Sequence, residues 1–154
     1  MTASHSVFIG VVPEELLDFS WTPENSAAGW RSGFSTNIDR GQSFQVAELD
    51  NRVIGFAWAK PWADSEGYDS SLQGLYVLPT CQRQGIGRRL LSRTTAELDR
   101  RRRRSLEIGC VKENPSCDFY RHLGGVEIGS RPVKVDLFET HEILFGWPDL
   151  SVLI

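Results

Sequence analysis

The sequence predicts an α+β domain: an α/β mixed sheet, mostly antiparallel, with helices on both faces. Three observations lead there. Three β-like runs follow one another between residues 43 and 78, separated by turn signals, as a meander requires. Two segments of helical periodicity then alternate with one short apolar run. Two further β-like runs close the chain. With 154 residues, one domain spanning residues 1–154 is the natural expectation. A chain of this size can bury about 70% of its extended surface.

Taken in order, residues 1–12 are weakly apolar and receive no assignment. Pro13-Glu14-Glu15-Leu16-Leu17 reads as a short helix start ending near Ser20, with proline early and acids in the first turn. Thr22-Pro23-Glu24 reads as a second start, Thr22 capping, and that helix runs to about Arg31. Trp21 and Trp30 are read as packing residues. Residues 33–41 form a loop. Ser43 to Leu49 alternates apolar and polar residues, a half-buried strand. Asp50-Asn51 is a tight turn, and Arg52 to Trp62 is the returning strand, broken at Pro61. A polar loop follows from Ala63 to Ser70. The third strand, Ser71 to Leu78, runs antiparallel to its predecessor and is stopped by Pro79.

A helix from Gly85 to about Arg101 carries Ile86, Leu90, Leu91, Thr94 and Leu98 on one face. Arg100 to Arg104 are five arginines in a row, read as cations favoured at a helix C-terminus rather than as a nucleic-acid patch. Leu106 to Val111 is a strand. Asn114-Pro115 opens a helix, Asn114 as cap, that ends at Gly124-Gly125. Val126 to Ile128 and Pro132 to Leu137 read as a strand interrupted near Gly129, and Glu139 to Phe145 is the last strand. The apolar tail from Gly146 onward is expected to dock on the body.

Composition narrows the function classes. A net charge of −3 argues against general binding to nucleic acid, which needs a basic face. No apolar run approaches the length of a membrane span, and the N-terminus lacks the pattern of a signal peptide. Three cysteines, Cys81, Cys110 and Cys117, with no CxxC pair, suggest neither a disulfide framework nor a zinc site. A cytoplasmic setting is the expectation. Cys117 and His122 are better read as a buried thiol and an unrelated surface histidine than as a nucleophile and base.

The informative stretch is Leu75 to Leu91, LYVLPTCQRQGIGRRLL. A strand, a loop with Gly85 and Gly87, and a helix N-terminus make a place to hold phosphate, because the first helical turn has free N–H groups and the positive end of the macrodipole. Arg83, Arg88 and Arg89 add positive charge. A dinucleotide fingerprint needs a third glycine where Leu90 stands, and a Walker A loop needs Gly-Lys followed by Ser or Thr, which is absent.

What remains, Gln82-x-x-Gly85-x-Gly87 directly after Leu75-x-Val77, resembles the pyrophosphate loop of the GNAT superfamily of acetyl-CoA-dependent N-acetyltransferases. Residues 113–125, ENPSCDFYRHLGG, are similar to the second GNAT signature: Asn114, a small residue at Cys117, Phe119-Tyr120, and Leu123-Gly124-Gly125. The resemblance runs from about Val11 to Leu150.

That resemblance implies a GNAT-like fold with a splayed parallel strand pair, and acetyl-CoA held between the strand ending at Leu78 and the strand Leu106 to Val111. Leu75, Tyr76 and Val77 would bond the pantetheine arm. Gln82, Arg83, Gln84, Gly85, Ile86, Gly87 and Arg88 would surround the pyrophosphate, and Asn114 would bond the arm or simply cap its helix. A backbone N–H near Val77 and Leu78 would meet the developing oxyanion. Tyr120 matches the position of the general acid that protonates the departing thiolate; a phenol with a pKa of about 10 carries a proton at neutral pH. The implied reaction is acetyl transfer to the primary amine of a small molecule; a protein N-terminus or lysine, or a non-catalytic acyl-CoA-binding module, are the alternatives. The base stays open among Glu48, Asp69, Glu139, His141, Glu142 and water. GNAT domains usually begin with a strand and a long helix, and only about ten residues precede Val11 here, so that opening unit is expected to be truncated. Met1 to Gly10, or a second copy in a homodimer, would then cover the sheet edge.

Overall fold

The computed structural model describes residues 41–62, 67–135 and 138–154. The helices expected near Pro13 and Thr22, both with their tryptophans, and the truncated opening unit lie outside the described residues. Within them the order is β1 (Ser43–Leu49), β2 (Arg52–Pro61), β3 (Ser70–Val77), α1 (Ile86–Arg100), β4 (Leu106–Val111), α2 (Ser116–His122), β5 (Val126–Val135) and β6 (Phe138–Trp147). One six-stranded sheet runs β1-β2-β3-β4-β6-β5. Every neighbouring pair is antiparallel except β3 and β4.

The β1–β2 hairpin turns at Asp50 and Asn51, both at positive φ (50° and 59°). Asp and Asn tolerate that region, and two such residues give the turn whose twist suits a hairpin. Between β3 and β4 the chain must cross over, and α1 makes that crossing. Its buried residues are Leu90, Leu91, Thr94, Thr95 and Leu98, one stripe at helical spacing. Each buried leucine contributes about 1.5–3 kcal/mol relative to an exposed one. Both threonine hydroxyls bond to carbonyls four residues back, so no polar group is stranded in that face. Gly55 of β2 lets the helix lie close to the sheet: a Cβ there would press on the Tyr76 carbonyl and the Leu90 side chain.

The core joins α1 and α2 to one face of the sheet. Leu91 and Leu98 meet Ala59, Leu72, Leu106 and Ile108, and α2 adds Cys117 and Tyr120 against Phe145 and Trp147. Both described helices therefore lie on the same face. The tail docks as expected: Leu150 and Leu153 are buried in this core, and the Leu150 N–H donates to the Arg104 carbonyl at 3.0 Å.

Several boundaries differ from the sequence expectation. β5 is continuous through Gly129; the expected break is a shift of register between Glu127 and Gly129. Here one extra residue bulges without ending the strand. β6 extends to Trp147, whose indole N–H donates to the Leu123 carbonyl at 3.0 Å. The second helix begins at Ser116, one residue after the first position expected at Pro115. The arginine run takes local partners. Arg100 and Arg101 pair with Glu97, Arg104 pairs with Asp99, and Arg103 donates to the Asp69 carbonyl.

Candidate active site: a cleft between two diverging strands

β3 and β4 pair at a single position, Ser71 with Glu107. Beyond it the two strands diverge, as the family resemblance implies. β3 itself is irregular there. Trp58 faces Gly74 while Ala59 faces Leu72, which leaves Gln73 as an extra residue. Such bulges bend a strand and increase its twist. The Gln73 side-chain amide donates to the Ser71 hydroxyl at 2.8 Å.

Hydrogen bonding to β2 decides which backbone groups of β3 are free. The Leu78 N–H donates to the Ile54 carbonyl at 2.8 Å, which makes that opposed pair a bonded one. Bonded and non-bonded pairs alternate along an antiparallel ladder. Tyr76 opposite Phe56 is then bonded, while Val77 opposite Gly55 and Leu75 opposite Ala57 are not. The N–H and C=O groups of Leu75 and Val77 therefore point away from β2, toward the opening, where the Val77 carbonyl is already taken by the Gln82 amide. Of the two donors expected for an oxyanion, Leu78 is occupied by Ile54 and Val77 is available.

At the C-terminal end of β3 a 3-10 turn, Pro79–Cys81, leads into the loop. The Gln82 amide donates to the Val77 carbonyl at 2.9 Å and ties the loop to the strand end. Arg83 and Gly85 both have positive φ, 62° and 77°. Gly85 is the N-cap of α1, with no side-chain cap bond and no acidic residue in the first turn. The first-turn N–H groups of Ile86, Gly87 and Arg88 thus face outward at the positive end of a 15-residue helix. Among the described residues, Arg83 and Arg88 make no ion pair.

These parts form one cleft of about 460 Å³, lined by Leu75, Val77, Gln82, Arg83, Gly85, Ile86, Gly87, Arg88, Pro115, Ser116, Phe119 and Tyr120. Nine of the residues singled out from the sequence meet there. Three do not. Tyr76 alternates to the opposite face, where its ring lies 5.0 Å from that of Phe56. Gln84 is exposed in the loop. Asn114 is a cap: its side-chain oxygen accepts the Ser116 N–H at 2.8 Å. Pro115, Ser116 and Phe119 also line it, residues to which the sequence reading gave no place in the site. Ser116, Phe119 and Tyr120 fall at i, i+3 and i+4, so the helical repeat placed them on one face.

Tyr120 is 4% exposed, packed between Phe119, Phe145 and Trp147. Burial pushes its phenol well above the ordinary value, with Cys110, Tyr76 and Cys117 adding to the rise. The group is therefore protonated throughout the neutral range. Burial also raises the thiols of Cys110 and Cys117. Cys117 donates to the Val111 carbonyl, while His122 Nδ1 bonds the Asp118 carbonyl at 2.6 Å. Neither group is arranged as a nucleophile–base pair.

The candidate bases separate clearly. Asp69 is a latch: its carboxylate accepts the N–H groups of Arg104 (2.8 Å) and Ser105 (3.2 Å) and the Ser70 hydroxyl (3.0 Å). Glu142 is paired with Arg131 at 2.9 Å. Glu48, Glu139 and His141 are exposed. Among the described residues, no group of three or more His, Cys, Asp or Glu could hold a metal ion, and no helix is long and apolar enough to cross a membrane.

A crossover helix that starts at a glycine loop, beside a parallel pair that opens after one contact, is the arrangement the GNAT resemblance implies. The chain belongs to the acetyltransferase (GNAT) family, whose model matches residues 12–124. It is 34% identical over 111 residues to YuaI, an uncharacterised N-acetyltransferase of Bacillus subtilis. That match covers 71% of this chain and 64% of YuaI, so the chain spans less than two thirds of that relative's length. The fold is also that of an N-acetyltransferase from Staphylococcus aureus Mu50 (TM-score 0.67, 18% identity, 96% of this chain and 91% of that one). A GNAT family acetyltransferase from Elizabethkingia anophelis, solved with acetyl-CoA bound, is similar as well (TM-score 0.60, 18% identity, 83% of this chain and 91% of that one).

Proposed function

We propose that this protein transfers an acetyl group from acetyl-CoA to a primary amine of a small molecule, by direct attack of the amine. The observation that carries the reading is the continuity of the cleft: outward backbone groups of Leu75 and Val77 lead to the uncapped first turn of α1. Acetyl-CoA has two demands that match it. Its pantetheine arm carries amides that can bond to an open strand edge, and its pyrophosphate is an anion suited to free N–H groups at a helix start. Loops at Arg83 and Gly85 let that backbone turn toward the ligand.

Acetyl-CoA supplies an activated thioester. The residues of this chain do the rest. Leu75 and Val77 align the arm as an added strand, and Gly85 to Arg88 hold the phosphates. The Val77 N–H is positioned to meet negative charge that develops on the carbonyl oxygen; a preorganised donor of this kind is worth about 3–4 kcal/mol elsewhere. Tyr120, protonated and at the cleft wall, gives its proton to the departing sulfur. Phe119 and Leu75 flank the opening with apolar surface that excludes water.

The test is thiol release from acetyl-CoA with a panel of amines: a polyamine, an aminoglycoside, an N-terminal alanyl peptide and a lysine peptide. Acetylation of one of the small amines is expected. Preference for a peptide would move the acceptor class to protein. Acetyl-CoA present at about a hundred times Kd should add about 2.7 kcal/mol to stability. Stabilisation without transfer to any amine would leave a binding module in place of an enzyme.

A further inference from the structure

We propose that Glu107, on β4, is the group that takes the proton from the incoming amine. This rests on the acetyl-transfer reading above and adds the residue that activates the acceptor.

Glu107 stands opposite Ser71 at the one position where β3 and β4 pair, and opposite Gly146 on β6. It therefore marks the apex of the opening. Leu106 and Ile108 on either side of it belong to the core under α1 and α2. By strand alternation the Glu107 side chain projects from the other face. An extended arm anchored at the α1 N-terminus would pass Val77 and then Leu75, toward the Gln73 bulge and Ser71. A reactive end carried that far would meet the apex that Glu107 marks, with the face away from the helices left for the amine.

The environment of Glu107 is unusual for a carboxyl. It is 7% exposed, yet among the described residues it has neither a hydrogen bond nor an ion pair. Its carboxylate oxygens are not among the sealed, unpartnered polar atoms, so solvent or an amine can reach them. Its lone pairs are thus available, unlike those of Asp69 and Glu142. The titratable and charged groups placed around it are Arg131 on β5, Glu142 on β6, Lys60 on β2 opposite Ser71, and Tyr68, whose hydroxyl lies against Gly146. Burial raises the Glu107 pKa, and the nearby Arg131 charge offsets part of the rise. A carboxylate moved up in this way is a better proton acceptor at neutral pH.

The proton count closes. An ammonium loses two protons on becoming an amide. Glu107 takes the first and frees the lone pair; the C–N bond forms and the C–S bond breaks. The second is shed as the amide forms and replaces the one that Tyr120 gives to sulfur. Glu107 then returns its proton to solvent.

The experiment compares wild type, Glu107→Gln and Glu107→Asp, reading acetyl-CoA Kd and the pH profile of kcat/KM with the amine panel. Glu107→Gln is expected to keep Kd within about threefold and to lose about a hundredfold in kcat/KM at pH 7, the loss narrowing as pH rises and free amine accumulates. Glu107→Asp should recover part of it. A glutamine variant with the wild-type rate and the wild-type acidic limb overturns the assignment. So does a wild-type limb whose midpoint differs by more than about one pH unit from the Glu107 titration followed by carboxyl ¹³C NMR, a measurement that needs no variant. A wild-type protein that binds acetyl-CoA but acetylates nothing overturns the transfer reading, and Glu107 with it; turnover with an indifferent Glu107→Gln removes Glu107 alone.

Discussion

Replacing Tyr120 by phenylalanine separates packing from chemistry at one atom. The ring stays, and with it the contacts to Phe119 (5.3 Å between centroids), Phe145 (5.8 Å) and Trp147 (6.1 Å). Only the hydroxyl goes, and among the described residues it donates no hydrogen bond. Stability should change by about 1 kcal/mol or less, a Tm shift of about 2–4 °C. Tyr120→Ala, by contrast, should cost about 3–5 kcal/mol through the cavity it leaves. Turnover should respond in the opposite order of subtlety. A general acid is worth about 10²–10⁴ in rate, or about 3–5 kcal/mol in the barrier, so Tyr120→Phe should lose at least a hundredfold in kcat while its acetyl-CoA Kd holds. Burial favours the neutral phenol, so its folded pKa lies above the unfolded value of about 10. The associated stability is complete below that value and is lost as pH rises through the folded pKa. Wild-type kcat should therefore show no falling limb from this group below about pH 10. Stopped assays of thiol release with melting curves for each variant give both readouts. A phenylalanine variant within about threefold of the wild-type kcat would refute the acid role.

Other perturbations test the frame. Gly85→Val meets open space but a φ of 77°; the left-handed penalty of about 1–2 kcal/mol should displace the loop and raise the acetyl-CoA Kd at least tenfold by calorimetry, and unchanged affinity would refute the phosphate placement. Gly125→Ala puts a Cβ 2.8 Å from the Trp147 ring and 2.9 Å from the Tyr120 carbonyl oxygen; overpacking should cost about 1–3 kcal/mol in urea denaturation. Asp69→Ala strips two backbone N–H groups of their acceptor and should lower stability by about 2–3 kcal/mol without changing acetyl-CoA affinity.

Much of the frame was readable from residue order. β1 and β4 have the bounds their alternation and apolar runs predict, because a period of two is unambiguous when turns flank it. The α1 stripe at Leu90, Leu91, Thr94 and Leu98 is the predicted one. Tyr76 turns the other way from Leu75 and Val77, a period of two that the residue order already carries. Gly129 shows why a glycine is weak punctuation, since it can serve a bulge as well as an end. The Gln73 bulge has no local signature, because it reflects how β3 registers on β2 across a loop. Glu107 was hidden for a related reason. In the sequence it is one polar residue in a strand; only pairing at Ser71 makes it the apex of an opening.

The central claim concerns backbone amides, so amide hydrogen exchange with and without acetyl-CoA tests it most directly. Leu75, Val77 and the segment Gly85 to Arg88 should exchange freely in the apo protein and become protected on binding, while Tyr76 and Leu78, already bonded to β2, should stay slow in both states. Binding that leaves Leu75, Val77 and Gly85 to Arg88 unprotected would contradict the account.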